Sequence, residues 1–85
     1  MLKLTADRFR KMRQDMHLSQ PELADLLGRS TLSISHYETG HSPIPHVVAA
    51  LFMLAYSSEE TALQLMRWAG RKDLVEAFSV PADEA

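Results

Sequence analysis

Apolar positions recur along the chain at the three- and four-residue spacing of helices, and no segment shows the alternating pattern of a strand. Near the start, Phe9, Met12 and Met16 share one face of a predicted helix over about 6–16. Thr5 stands before this helix as its N-cap. The spacing therefore predicts an all-α chain.

Two shorter helices follow, each with a serine before it and a glycine after it. Ser19 precedes a helix over about 20–27 that ends at Gly28, and Ser30 precedes a third helix that ends at Gly40. Serine is a favoured N-cap, and glycine ends helices in the left-handed conformation. A helix, a glycine turn and a second helix at this spacing indicate a helix-turn-helix.

The second half of the chain predicts up to three more helices. We expect Pro45 in the first turn of a fourth helix, HVVAALFMLAY, which is apolar nearly all round and should be the central buried helix. Ser57 and Glu60 form a capping-box pattern ahead of a fifth helix, SEETALQLMRWA, which Gly70 closes. The segment RKDLVEAF adds a short sixth helix.

The composition favours a small folded domain. Apolar residues make up 46% and charged residues 24% of the 85 residues, which is typical of a packed core. The absence of cysteine excludes disulfides, thiolate metal sites and cysteine nucleophiles. The sequence has neither a signal-peptide pattern nor the ~20 apolar residues of a membrane span. We expect one cytoplasmic domain, with self-association to add buried area.

Charge is distributed unevenly along the chain. The formal net charge of −2 argues at first against a nucleic-acid partner. Through His46, however, six Lys and Arg stand against five Asp and Glu, a net charge of +1, and all four histidines lie there. From Val47 onward three basic residues stand against six acidic ones, a net charge of −3. The first part can face phosphate while the second has another role.

The segment LSQPELADLLGRSTLSISHYETG, with the helix before it and IPHVVAALFMLA after it, resembles the Cro/repressor (XRE-type) helix-turn-helix family of phage and bacterial regulators. The resemblance covers about residues 4–56. It implies an all-α, five- to six-helix, lambda-repressor-like helix-turn-helix domain. The matching positions are Leu18, Gln20, Glu22, Leu23, Ala24, Gly28, Ser30, Ile34, Glu38 and Gly40.

From the pattern and the resemblance together we expect three segments. Residues 1–56 form the helix-turn-helix DNA-binding core, 57–80 are C-terminal helices that extend the same domain and dimerise, and 81–85 are a flexible tail. The residues expected in the dimer interface are Leu65, Met66, Trp68, Leu74, Val75 and Phe78.

The resemblance also implies roles for residues around the third helix. Thr31, Leu32 and His36 occupy the positions that face DNA bases, and Arg13 pairs with Glu38 inside the fold. The residues expected to contact the DNA backbone are Gln20, Arg29, Ser33, Thr39, His41 and Ser42.

The third helix holds no Lys, Arg, Asn or Gln, so its base contacts need other chemistry. His36 can donate a hydrogen bond to N7 or O6 of guanine, and Thr31 can either donate or accept one. Leu32 can contact a thymine methyl group. With few bidentate contacts, part of the specificity should come from DNA shape and from two half-sites read by a dimer.

Catalytic and metal sites are not expected. His36, His41 and His46 are spaced by five residues, which does not place them on one helical face, and they fall in a helix, a loop and the start of the next helix. Glu59 and Glu60 stand at a helix start, where capping explains them. No Gly-rich phosphate loop or nucleophile elbow is present, so we expect neither enzymatic activity nor a cofactor.

Two functions remain open at this stage. The first is a homodimeric regulator that binds a palindromic operator in double-stranded DNA, most simply a repressor or autorepressor of a small operon. Phage Cro-like repressors, antitoxins and anti-CRISPR-associated regulators share this size and layout. The alternative is a helix-turn-helix-fold protein-interaction module without DNA binding, whose acidic second half contacts a partner protein.

Overall fold

The computed structural model describes residues 4–79, so the predicted tail, 81–85, lies outside the described residues. Six helices and no strand are present in this range, which confirms the all-α class. None of these helices is long and apolar enough to cross a membrane. Their bounds are α1 Ala6–Asp15, α2 Gln20–Leu27, α3 Thr31–Thr39, α4 His46–Ser57, α5 Glu59–Trp68 and α6 Lys72–Ser79.

The first three helices begin at the caps that the sequence predicts. The hydroxyls of Thr5, Ser19 and Ser30 each accept a hydrogen bond from the backbone N–H three residues later, at 3.1 to 3.2 Å. At Ser19 the capping box is complete, because the backbone N–H of Ser19 donates to Glu22 Oε1 at 2.8 Å. These local bonds fix where each helix starts.

The predicted cap of α5 is wrong by one residue. Ser58 caps this helix and accepts a hydrogen bond from the backbone N–H of Thr61 at 3.2 Å. Ser57 is instead the last residue of α4, and its hydroxyl donates to the carbonyl of Leu54 at 3.2 Å. Either serine suits a cap, so the choice depends on how far α4 continues.

Aromatic rings at the centre of the molecule join α1, α3 and α4. Phe9 and Phe52 have no exposed surface and meet edge to face, with ring centroids 4.8 Å apart. Tyr37 of α3 also packs edge to face on Phe9 at 5.7 Å. The side of α3 that carries Tyr37 therefore packs on the core.

Helix α4 is not buried all round, contrary to the expectation from its apolar sequence. Val48, Phe52 and Ala55 are buried, whereas the side chains of Val47 and Leu54 are 73% and 58% exposed. The reason is that the other helices pack on only one side of α4, so the opposite apolar side faces solvent. Pro45 is the N-cap of this helix rather than a residue of its first turn.

An ion-pair cluster at Arg71 connects the C-terminal helices to α2. The Arg71 guanidinium donates to Asp25 at 2.6 Å and to Asp73 at 2.8 Å, and it lies 3.8 Å from Glu22. The hydrogen bond from Arg71 lowers the pKa of Asp73 below its ordinary value. Hydrogen bonds to Asp73 and Asp25 raise the pKa of Arg71. The turn between α5 and α6 is thus attached to the helix-turn-helix.

Candidate nucleic-acid interface

The turn between α2 and α3 depends on the backbone conformation of Gly28. This residue has φ 66°, in the left-handed region that favours glycine. The backbone N–H of Arg29 then donates to the carbonyl of Ala24 at 2.9 Å, which closes the end of α2. The reversal packs Leu23 of α2 and Ile34 of α3 into one core, where both are buried.

The outer side of α3 carries the predicted base-reading residues. Ile34 is 0% exposed and marks the inner side of the helix. Leu32 and His36 lie two residues before and after it, about 160° around the helix at about 100° per residue. Leu32 is 64% exposed, Thr31 is exposed and His36 is half-buried. Leu32 and His36 therefore lie away from the core, and Thr31 is exposed as the first residue of the helix.

His36 is partly covered by the loop that follows α3. The imidazole rings of His36 and His41 lie with centroids 4.4 Å apart. The backbone N–H of Ser42 donates to the carbonyl of His36 at 3.3 Å, which folds the loop back on the helix end. The sequence places both histidines at the site, but only the fold shows that they contact one another.

A carboxylate cluster holds α3 to the two preceding helices. Glu38 is 7% exposed, and its oxygens accept from Arg13 Nε at 2.5 Å and Arg13 Nη2 at 3.1 Å. Arg13 Nη1 also donates to the carbonyl of Leu18 at 2.8 Å, in the connection between α1 and α2. A buried carboxylate needs this compensation for its charge. The predicted pair therefore lies inside the fold and fixes the orientation of α3.

Gln20 belongs to the same cluster. Its side-chain Nε2 donates to Glu38 Oε1 at 3.0 Å, and the residue is half-buried at the first turn of α2. An amide side chain has a second N–H, which remains able to donate to a phosphate oxygen. Sequence reasoning treated Gln20 and Glu38 separately, since no local pattern connects residues 18 positions apart.

The other predicted backbone-contact residues lie at the two ends of α3. Arg29 is exposed in the turn before the helix, and the Ser33 hydroxyl, in the first turn, accepts from the Ser30 hydroxyl at 3.0 Å. At the far end, the exposed Thr39 donates through its hydroxyl to the carbonyl of His36 at 3.3 Å. His41 is exposed and Ser42 half-buried in the loop that follows. Polar groups thus flank both ends of the exposed side of α3.

The residues predicted for the dimer interface differ in how exposed they are within the single chain. Leu65, Met66 and Leu74 are 6%, 0% and 8% exposed because they pack in the core of their own chain. These three side chains have little surface left for a partner. Val75 and Phe78 are partly buried against the same core, and Trp68 is 74% exposed.

Within residues 4–79, no group of three or more His, Cys, Asp or Glu side chains could hold a metal ion.

Comparison with protein families found a match to the helix-turn-helix domain over residues 6–78. Searches of curated proteins and of solved structures found no match to this chain. Because the family match spans most of the sequence and all six helices but the last residue of α6, the chain belongs to the helix-turn-helix domain family.

Proposed function

We propose that this chain is a homodimeric, sequence-specific DNA-binding transcriptional regulator of the Cro/repressor (XRE) type. Membership of the helix-turn-helix family indicates a DNA-binding regulator in general. The observation that carries the finer proposal is the exposed side of α3, presented by a helix whose inner side is fixed by Ile34 and the buried Glu38. The role proposed is binding alone, without catalysis or a cofactor.

In this proposal α3 enters the major groove with its N-terminal end towards the bases. Leu32 offers an apolar contact to a thymine methyl, and His36 a hydrogen-bond donor to guanine. Arg29 stands just before the helix, where a guanidinium can bind a phosphate or a base edge. Gln20 meets a phosphate through the part of its amide that Glu38 does not use. Occupation of a promoter by the dimer would then block transcription, and autorepression of a small operon is the simplest form.

A second candidate is a protein-interaction module that keeps the fold without binding DNA. The observation that favours it is the composition of α3, Thr31–Thr39, which contains no Lys, Arg, Asn or Gln. The formal net charge of −2 favours it as well. We favour DNA binding over the interaction module, because weak phosphate contacts add up across a dimer.

A salt series separates the two candidates. Binding to a pool of random-sequence duplexes, and then to the duplexes enriched by repeated selection, would be measured from about 50 to 300 mM salt. A DNA-binding protein that neutralises several phosphates loses affinity steeply, by roughly 10-fold or more over this range. Arg29→Gln should flatten the slope, while Arg67→Gln in the acidic second half should leave it unchanged. Failure to bind any duplex at low salt would reject the regulator in favour of the interaction module.

A further inference from the structure

The outer side of α4 is an apolar surface that nothing in the described chain covers. Val47, Ala50, Leu51 and Leu54 follow one another at the spacing i, i+3, i+4 and i+7, and we call these four residues the α4 ridge. Val47 and Leu54 are 73% and 58% exposed, Ala50 is exposed and Leu51 is half-buried. The ridge has the spacing of a helix-packing stripe. Leu51, at its edge, packs partly against the core, while Val47, Ala50 and Leu54 face solvent.

The ridge also lacks the charged side chains that keep a solvent-facing helix soluble. The twelve residues of α4, HVVAALFMLAYS, include no Asp, Glu, Lys or Arg. Helices on a protein surface ordinarily carry charges on the side opposite the core. On the α1 side, the Tyr56 hydroxyl donates to Asp15 at 2.8 Å, and this bond raises the pKa of Tyr56. This polar pair marks the edge of the apolar surface.

On the α5 side, the apolar surface continues onto Trp68. Leu51 and Trp68 line two shallow grooves together, one between α4 and α5 and one that the end of α2 also lines. Val47, Leu54 and Trp68 together expose on the order of 400 Å² of side chain, which lies within the range of the largest patches on monomeric proteins. Covering this area on two chains would bury on the order of 1,000 Å² with the surrounding rim, near the lower limit for a specific interface.

We propose that the α4 ridge is where a second copy of this chain packs, with α4 against α4 about a twofold axis. A twofold contact places the ridge against itself, and a ridge without charge does not repel its own copy. Ala50 lies near the middle of the ridge, where a small side chain lets two helices approach closely. Trp68 of each copy then lies at the rim of the contact. This inference rests on the homodimer in the proposed function and gives that dimer a surface.

Cross-linking tests the twofold contact directly. The sequence contains no cysteine, so Ala50→Cys introduces a single thiol that lies close to its own copy if the axis passes near the ridge. Under mild oxidation we expect this variant to form a disulfide-linked dimer at least 10-fold faster than Gln14→Cys, whose thiol lies on the exposed side of α1. Equal rates for the two variants would place the axis elsewhere.

Sedimentation equilibrium tests whether the ridge supports association in solution. Val47→Glu introduces a charge on the ridge in the first turn of α4. The helix dipole stabilises a carboxylate at this position, so we expect the fold to be preserved. We expect its dimer dissociation constant to rise at least 10-fold, while Gln14→Glu remains like the parent. Circular dichroism checks that both variants keep their helices.

The outcomes separate this inference from the proposed function. If the parent and Val47→Glu dimerise equally, the ridge is not the interface, but the homodimer stands. If the parent is a monomer up to about 100 µM both free and on selected duplex DNA, the ridge assignment and the homodimer are both rejected. DNA binding itself is decided separately by the salt series.

Discussion

At the scale of single residues, Glu38 determines how α3 is held. Its carboxylate is nearly out of contact with solvent and accepts hydrogen bonds from both Arg13 and Gln20. These donors belong to α1 and to the start of α2, so one side chain connects the three helices that form the candidate interface. A charged group in this position is retained for geometry more than for strength.

Removing Arg13 should therefore destabilise the protein strongly. Arg13→Ala leaves the Glu38 carboxylate buried without its cation, which costs about 3 kcal/mol or more. Chemical denaturation and thermal melting measure the loss. The matched control is Arg10→Ala, because Arg10 pairs with Asp7 at 2.9 Å with both side chains largely exposed, and this change should be small. Similar melting temperatures for the two variants would contradict the structural role of Arg13.

Residues on the outer side of α3 should change sequence preference, whereas Gln20 should change affinity alone. If Leu32 and His36 meet base edges as proposed, Leu32→Ala or His36→Ala should weaken binding to selected duplexes by roughly 1 to 3 kcal/mol with little effect on random DNA. If Gln20 meets a phosphate as proposed, Gln20→Ala should weaken binding to all duplexes alike. Competitive titrations with selected and random duplexes measure the affinity and the sequence preference of each variant. An unaltered preference in Leu32→Ala and His36→Ala would assign specificity to Arg29 or to DNA shape.

At the scale of helices, local patterns predicted the elements because caps and turns are made by neighbouring residues. Ser19 with Glu22 starts α2, and Gly28 ends it, as the sequence indicates. The exposure of α4 could not be predicted in this way. An apolar helix sequence shows what can be buried, but the number of neighbours that bury it is set by the packing of other helices. The sequence for this reason overestimated the burial of Val47 and Leu54.

The candidate site shows the same difference between what local patterns predict and what depends on packing between segments. The outward side of α3 follows from helical periodicity once Ile34 is assigned to the core, so Leu32 could be placed in advance. The bond from Gln20 to Glu38 and the contact between His36 and His41 join different segments of the chain. Such contacts depend on how helices and loops come together, which spacing alone does not specify.

Gly28 should be required for its backbone conformation and not for lack of space. A Cβ atom added at Gly28 would meet nothing within 4 Å, but φ 66° is strained for most side chains. Gly28→Ala should thus cost about 1 kcal/mol, and Gly28→Asn less, because asparagine tolerates the left-handed region. Denaturant titrations of both variants measure the order. Equal losses would indicate that the turn relaxes to another conformation.

At the scale of the whole molecule, shape explains why an apolar helix remains uncovered. The described chain measures 40 × 23 × 19 Å, so it is elongated and only about two helices thick. A domain this thin has few positions that are surrounded on all sides. Helix α4 lies between the aromatic core on one side and solvent on the other. Packing of a second copy against α4 would cover the apolar side of this helix that now faces solvent.

If a second copy covers the α4 ridge, folding and association are linked. The melting temperature of the parent should then rise with protein concentration, because the dimer binds only the folded chain. Stabilisation of about 2.7 kcal/mol at 100 times the dissociation constant corresponds to a rise of roughly 10 to 20 °C in a domain of this size. Val47→Glu should need at least 10-fold more protein to reach the same melting temperature, whereas Gln14→Glu should follow the parent. A parent melting temperature that stays constant from about 5 to 500 µM would show that the ridge remains exposed in the folded protein.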